Sequence, residues 1–408
     1  MPTASMDRSY RALFAVPNVR RLLLGMQISR IAQSMVGITL VLFALQTYKS
    51  ITLSGIAIFF SIFPGLLVSP IAGALLDRHG RTRLVVIDYL MALLSLTSIG
   101  VLALLGFLPA WLLIVIAAVA SLTMPLSATG LRSLFPLMVP SHLWERVNAI
   151  DSTGYVVATI IGPPVATLLV GIWGGAITFI VIGISYGLAA IVIARAPEPS
   201  TKTQSTGRLV TDARQGLVYT WRNRTLRGLG FSISALNLAN GTITIVVPLI
   251  VLERLHLDEV VVGLFFALQG LAGVISAFFF GRIDSRDRER LMLALPMAAT
   301  GILLAALAFD SRVIMLGVVM AVTGVLNGPI DIALFTLRQR RTDPSWIGRA
   351  FAVSMSFNYI GTPIGSALAG AIASRSMEAA IVFAAAASMI SSLFVVSLIP
   401  ARDRTFSE

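Results

Sequence analysis

Twelve apolar runs, each long enough to cross a membrane as a helix, dominate this sequence. About 20 residues at a rise of about 1.5 Å cover a hydrocarbon core of about 30 Å. In hydrocarbon every backbone N–H and C=O must find a partner within the structure, so such runs fold as helices and not as open strands. They lie at roughly 21–46, 52–76, 84–106, 109–131, 147–171, 174–195, 226–252, 259–281, 291–309, 313–336, 349–374 and 377–399. The first is long enough to be a retained span, not a cleaved signal peptide. Only 12% of the 408 residues are charged, against about 25% in soluble domains, and mean hydropathy is +0.88. One large water-soluble core is thereby excluded. The expected fold class is an all-α membrane protein of twelve transmembrane helices in two pseudo-symmetric six-helix bundles.

A single long polar connection, Arg195 to Arg227, divides the chain. It gives an N-terminal bundle over 1–195, a linker over 196–225 and a C-terminal bundle over 226–408. Of the 31 basic residues, 26 fall in the termini and the even-to-odd loops, while Lys49, Arg254, Arg312 and Arg375 occupy the other face and Arg30 lies inside a span. By the positive-inside rule both termini are cytoplasmic, in an inner or plasma membrane. The net charge of +12 is thus an orientation signal spread over seven short segments. It is not the single basic patch that nucleic acid requires.

The halves also repeat. Asn18–Gly25 (NVRRLLLG) reappears as Asn223–Gly230 (NRTLRGLG) at an offset of 205, Gly65 falls on Gly270 at the same offset, and Arg132 matches Arg338 at 206. Duplicated bundles around a central site are a transporter plan. Enzyme chemistry finds no footing. There is no cysteine, the three histidines (His79, His142, His256) fall in loops, and no phosphate-binding Walker loop, nucleophile elbow or metalloprotease motif is present. No cofactor and no metal site are expected.

The most specific string is Gly73-Ala-Leu-Leu-Asp77-Arg78-His79-Gly80-Arg81-Thr-Arg83, between the second and third spans. Gly73 permits close helix approach and Gly80 a turn with positive φ. Asp77 suits the positive N-terminus of a helix in the other half, and Arg78 and Arg81 seek carboxylates or lipid head groups. The string resembles the G-x-x-x-D-R-x-G-R gate signature of the major facilitator superfamily. Asn18-Val-Arg-Arg-Leu before Gly25-Met-Gln-Ile-Ser, Arg146-Val-Asn-Ala-Ile before Gly162-Pro163-Pro164, and Asp212-Ala-Arg-Gln-Gly-Leu before Trp221-Arg-Asn resemble its drug:proton antiporter branch, which includes macrolide-efflux and enterobactin-export proteins. The fifth span carries Ala158, Gly162 and Pro163 where that branch has G-x-x-x-G-P-x-x-G-G, with alanine or threonine at three of the glycines.

The resemblance implies a secondary transporter, a monomer in the bilayer, that exports an amphipathic drug-like compound by alternating access with protons as coupling ion. Cargo of another kind (a siderophore, metabolite or lysolipid) and a membrane sensor without transport remain as alternatives. A sensor would be marked by a long soluble domain or tail. The resemblance also places the first, fourth, seventh and tenth helices around the cavity. Polar stripes on three of them supply the candidate solute and proton path: Gln27, Arg30 and Ser34 with Gln33 alongside; Ser234, Asn237, Gly241 and Thr244 with Asn240 alongside; and Thr323, Asn327 and Asp331. Charge within hydrocarbon is costly and seeks an opposite partner. Arg30 and Asp331, from opposite halves, are therefore expected to pair, with Asp331 as proton carrier or gate residue. Asp88 and Asp151 are expected to pair with Arg81, Arg83, Arg132 or Arg146.

Single cysteines placed at Lys202 and Lys49 of this cysteine-free chain should react with an impermeant maleimide from opposite sides of the membrane. Reaction of both from one side contradicts the twelve-span topology.

Overall fold

The computed structural model describes residues 7, 9–196, 198, 209–282, 285–286, 288–343 and 346–400. Among them every regular element is helical. A short helix α1 (Tyr10–Ala15) precedes α2 (Val19–Tyr48), α3 (Ile51–His79), α4 (Arg81–Leu104), α5 (Ala110–Met138) and α6 (Trp144–Ala194). The second half follows with α7 (Leu209–Arg222), α8 (Arg224–Leu249), α9 (Glu259–Phe280), α10 (Glu289–Phe309), α11 (Val313–Arg340), α12 (Ile347–Tyr359), α13 (Gly361–Ala373) and α14 (Met377–Leu398).

Ten described helical segments are long and apolar enough to cross a membrane. Two details bring this to the twelve runs of the sequence. The 51-residue α6 folds back at Gly174, where φ is 78° and ψ 164°, and so forms an outgoing and a returning arm. The eleventh run is split into α12 and α13, because Pro363 has no N–H to return to the carbonyl of Tyr359. Connections are short and locally capped. The Ser50 and Ser376 hydroxyls accept from Leu53 and Ala379 N–H at the starts of α3 and α14, and the Asn223 side chain accepts from Leu226 N–H at the start of α8.

The turn between α3 and α4 is the single residue Gly80, at φ 93°, as the gate string requires. The open N–H groups at the start of α4 are met by Glu198 of the linker, which accepts from Arg81 at 2.7 Å and Arg83 at 3.1 Å. A carboxylate there also faces the positive end of the helix dipole. The linker helix α7 docks on the α11–α12 loop: Tyr219 stacks on Trp346 at 4.9 Å and accepts a 3.0 Å hydrogen bond from Asp343 N–H.

The two halves touch chiefly at the end of the bundle away from the chain termini. There α3 packs on α13 and the outgoing arm of α6 packs on α9. A Cβ at Gly55 would lie 2.2 Å from the Ser366 carbonyl oxygen, and one at Gly263 would lie 2.8 Å from Pro164 Cα. Small residues of this kind let helices approach backbone to backbone. The Gln46 side chain reinforces the contact by donating to Glu259 Oε1 at 2.6 Å.

The repeat has a different register inside the spans from the one its first motif suggests. Gly65 meets the Ser121 carbonyl in its own half, whereas Gly270 meets Ile160 of the other half. The Arg20–Phe14 and Arg227–Trp221 contacts already stand 207 residues apart at the start of the first helix pair.

Since Gly55 leaves no room for any side chain, Gly55→Val should force α3 and α13 apart. Electron paramagnetic resonance between labels at Lys49 and Arg375 should then report a longer distance than in the unsubstituted chain. An unchanged distance would mean that this contact does not hold the halves together.

Candidate functional site

The charged centre of the N-terminal half is a carboxylate shared by two guanidiniums. Arg30, seated in the fourth turn of α2, donates through Nη1 to the Asp151 carbonyl at 2.7 Å and through Nη2 to the Asp151 carboxylate. Arg132 near the end of α5 reaches the other carboxylate oxygen through Nε at 3.2 Å. Asp151, only 6% exposed, thus ties α2, α5 and α6 together. The expected Arg30–Asp331 pair is not formed. The outgoing arm of α6 lies directly against α2, so a carboxylate of the same half reaches Arg30 first. The expected Arg132–Asp151 pair is present.

Asp331 connects to this centre indirectly. It faces open space on α11, near Tyr359 at the end of α12, and the Tyr359 phenol lies beside that of Tyr155 on α6. Tyr155 in turn lies under the Arg30 guanidinium, 6.0 Å from ring centroid to Cζ. A polar chain therefore crosses between the halves through two tyrosines. Neither tyrosine stands out in the sequence, although Asp151 and Tyr155 share a helix face at i and i+4.

The same geometry recurs in the C-terminal half without the carboxylate. Arg30 corresponds to Asn237 and Asp151 to Asn358 at an offset of 207, and Arg132 to Arg338 at 206. Asn237 Nδ2 donates to the Asn358 carbonyl at 2.9 Å, as Arg30 does to that of Asp151. With its amide oxygen turned toward the guanidinium, Asn358 accepts from Arg338 Nη2 at 2.6 Å. Arg338 is fully buried and also donates to Met355 Sδ at 2.9 Å. Asn240 donates to the Asn237 side chain at 3.2 Å. The α8 stripe therefore joins α8 to α12, and Gly241 extends the contact by meeting the backbone of Thr362 and Ser366.

The other candidate residues fall in several places. Gln33 accepts from the Tyr186 hydroxyl at 2.5 Å and, with Asp88, lines a space of about 50 Å³ inside the N-terminal half. Asp88 does not pair with an arginine as expected. It is 4% exposed and lies against the Ser127 and Thr123 hydroxyls of α5, because its position on α4 points inward, away from the arginine-bearing ends. Gln27 lies against Gly154. Thr323 turns toward α9, where Gln269 donates to it at 3.1 Å, while Asn327 is half-buried between Thr323 and Asp331.

In the gate string Gly73 and Asp77 fall within the last two turns of α3, and the surroundings of Gly73 and the side chain of Asp77 lie outside what the structure describes. Arg78 is exposed, and Arg81 donates to the Ser133 carbonyl at 3.2 Å, tying α4 to α5. In the fifth span Ala158 accepts from Ser34 at 2.8 Å. Gly162 faces the same serine, and Pro163 presents its carbonyl to Gly263 of the other half.

The Major Facilitator Superfamily model matches residues 22–366 and 229–407. An uncharacterized MFS-type transporter of Sinorhizobium fredii is 35% identical over 96% of this chain and 97% of its own length. The multidrug efflux pump Tap of Mycobacterium tuberculosis is 26% identical over 76% of each chain. Macrolide efflux protein A of Streptococcus pyogenes is 21% identical over 86% of this chain and 88% of its own. Among solved structures the nucleoside transporter NupG superposes with a TM-score of 0.76, covering 94% of this chain and 99% of its own at 12% identity, a likeness of fold.

Asp151→Asn leaves two guanidiniums without their carboxylate. It should lower stability by about 2–3 kcal/mol, toward the low end for a buried pair because Arg132 remains half in water. Asn358→Asp, which offers Arg338 a carboxylate in the equivalent place, should change stability by less than about 1 kcal/mol or raise it. Thermal unfolding in detergent measures both. Equal losses would deny the difference between the two halves.

Proposed function

The chain belongs to the Major Facilitator Superfamily, and on that premise we propose that it exports an amphipathic small molecule by alternating access, coupled to proton entry. The observation that carries this reading is the polar chain from Arg30 and Arg132 through Asp151, Tyr155 and Tyr359 to Asp331. Such a chain links two bundles that meet elsewhere by close backbone packing and the Gln46–Glu259 hydrogen bond. Opening the halves breaks the tyrosine contact and separates Asp331 from the arginines, and closing them restores both. A carboxylate whose surroundings alternate in this way can take a proton on one side and release it on the other. The efflux function of Tap and of macrolide efflux protein A supports export as the direction. The excess of basic residues on the terminal face supports an orientation with both termini in the cytoplasm of a multi-pass inner or plasma membrane protein. No enzymatic step is assigned to it.

In this reading Asp331 is the proton carrier. Asp331→Asn in proteoliposomes should abolish export driven by a pH gradient while leaving substrate binding in place. A screen of macrolides, dyes and siderophores with and without the gradient supplies the substrate. Unchanged pH dependence in the variant would remove Asp331 from the coupling path.

A further inference from the structure

A groove of about 420 Å³ runs between α2 and the outgoing arm of α6, with Tyr10 of α1 at one end. Its size falls within the roughly 300–1,000 Å³ of small-molecule sites. Leu23, Ile31, Ile150 and Val157 give it apolar walls, and Gln27, Arg30, Asp151 and Thr153 supply its polar groups. Two of these groups bear on what it binds.

The first is Gln27. Its Nε2 is buried with no hydrogen-bond acceptor, and its other terminus is held against Gly154, where a Cβ would lie 2.3 Å from Oε1. A buried donor left unmade is costly, and a turn of this side chain toward the groove that it lines presents the donor to a ligand acceptor. The second is the charge. Arg30 and Arg132 share the single carboxylate of Asp151, which leaves the cluster with one net positive charge. In a low-dielectric groove such an excess attracts an anion and repels a cation. A guanidinium and an amide N–H one helical turn apart together suit the two oxygens of a carboxylate. In the other half the positions equivalent to Gln27, Arg30, Asp151 and Gly154 are Ser234, Asn237, Asn358 and Gly361, and the remaining cation, Arg338, is fully buried against Asn358 and Met355, so the equivalent of the groove-lining Arg30 is uncharged there.

We propose that this groove is a binding site for amphipathic monoanions, with the acidic group on Arg30 and Gln27 and the apolar body along the α2–α6 walls. The inference rests on the transport reading only for the purpose of the site, since binding itself needs no gradient. The anion can be lipid-borne or a soluble aromatic acid.

The test is equilibrium binding of tritiated dodecanoate to the full chain in nanodiscs of uncharged phosphatidylcholine. Dodecanoate should bind, and dodecylamine of the same chain length should not displace it. Arg30→Gln should weaken binding about tenfold or more, as expected for loss of a hydrogen bond to a charged group. Gln27→Leu, which removes the amide with its unmet donor and keeps about the same side-chain volume, should weaken it several-fold. Displacement by 2-naphthoate assigns the site to soluble aromatic acids, and failure of that displacement assigns it to lipid anions. Displacement by dodecylamine, or wild-type affinity in Gln27→Leu, overturns the proposal. Anion binding without pH-driven flux would count against the antiport reading and leave the site intact. Flux of cations without anion binding would do the reverse.

Discussion

An arginine placed inside a hydrocarbon-spanning bundle must have its donors met within hydrogen-bond reach, and most of the N-terminal half is organised around meeting that need with a carboxylate. Asp151 meets Arg30 and Arg132 at once, so one carboxylate fixes the rotation of α2, α5 and the outgoing arm of α6. Breaking such a pair costs far more than forming it yields, because the orphaned charge stays buried. The half therefore behaves as one body. In the C-terminal half the same three positions are filled by two asparagines and a buried arginine. That arrangement keeps the hydrogen bonds and dispenses with the carboxylate.

Two kinds of contact join these bodies, and they differ in strength by design of the residues involved. At the far end, glycines at 55 and 263 set backbone against backbone, which leaves no slack for sliding. Nearer the middle, the phenols of Tyr155 and Tyr359 meet, beside the packing of Gly270 on Ile160. Under the proposed export cycle this pair is the part that opens and closes, and the charged centre beside it stays intact in both states.

Length and hydropathy made the twelve spans and their division into halves legible, because hydrocarbon thickness imposes a length that loops do not share. The Gly80 turn was legible for a local reason: a one-residue connection needs positive φ. The fold-back at Gly174 and the break before Pro363 follow from the same local chemistry. The partner of Arg30 was not legible. Asp151 and Asp331 are equally acidic, and which of them meets Arg30 depends on helix rotation and neighbour order over 121 residues of separation. A signal was nonetheless present. At an offset of 207 both Arg30 and Asp151 become asparagine, so the two positions lose their charges together, as partners would. The offset of 205 taken from the first helix obscured it. Glu198 at the start of α4 escaped notice because a linker glutamate carries no spacing signal.

The central claim is that Arg30 answers to Asp151 within its own half and reaches Asp331 only through the tyrosines. Double-mutant cycles on thermal unfolding of the full chain test it, using Arg30→Gln with Asp151→Asn and Arg30→Gln with Asp331→Asn. Residues in direct contact couple by about 0.5–3 kcal/mol, while separated ones add to within about 0.5 kcal/mol. The account predicts coupling in the first cycle and additivity in the second. Strong coupling between Arg30 and Asp331 with none to Asp151 would contradict it.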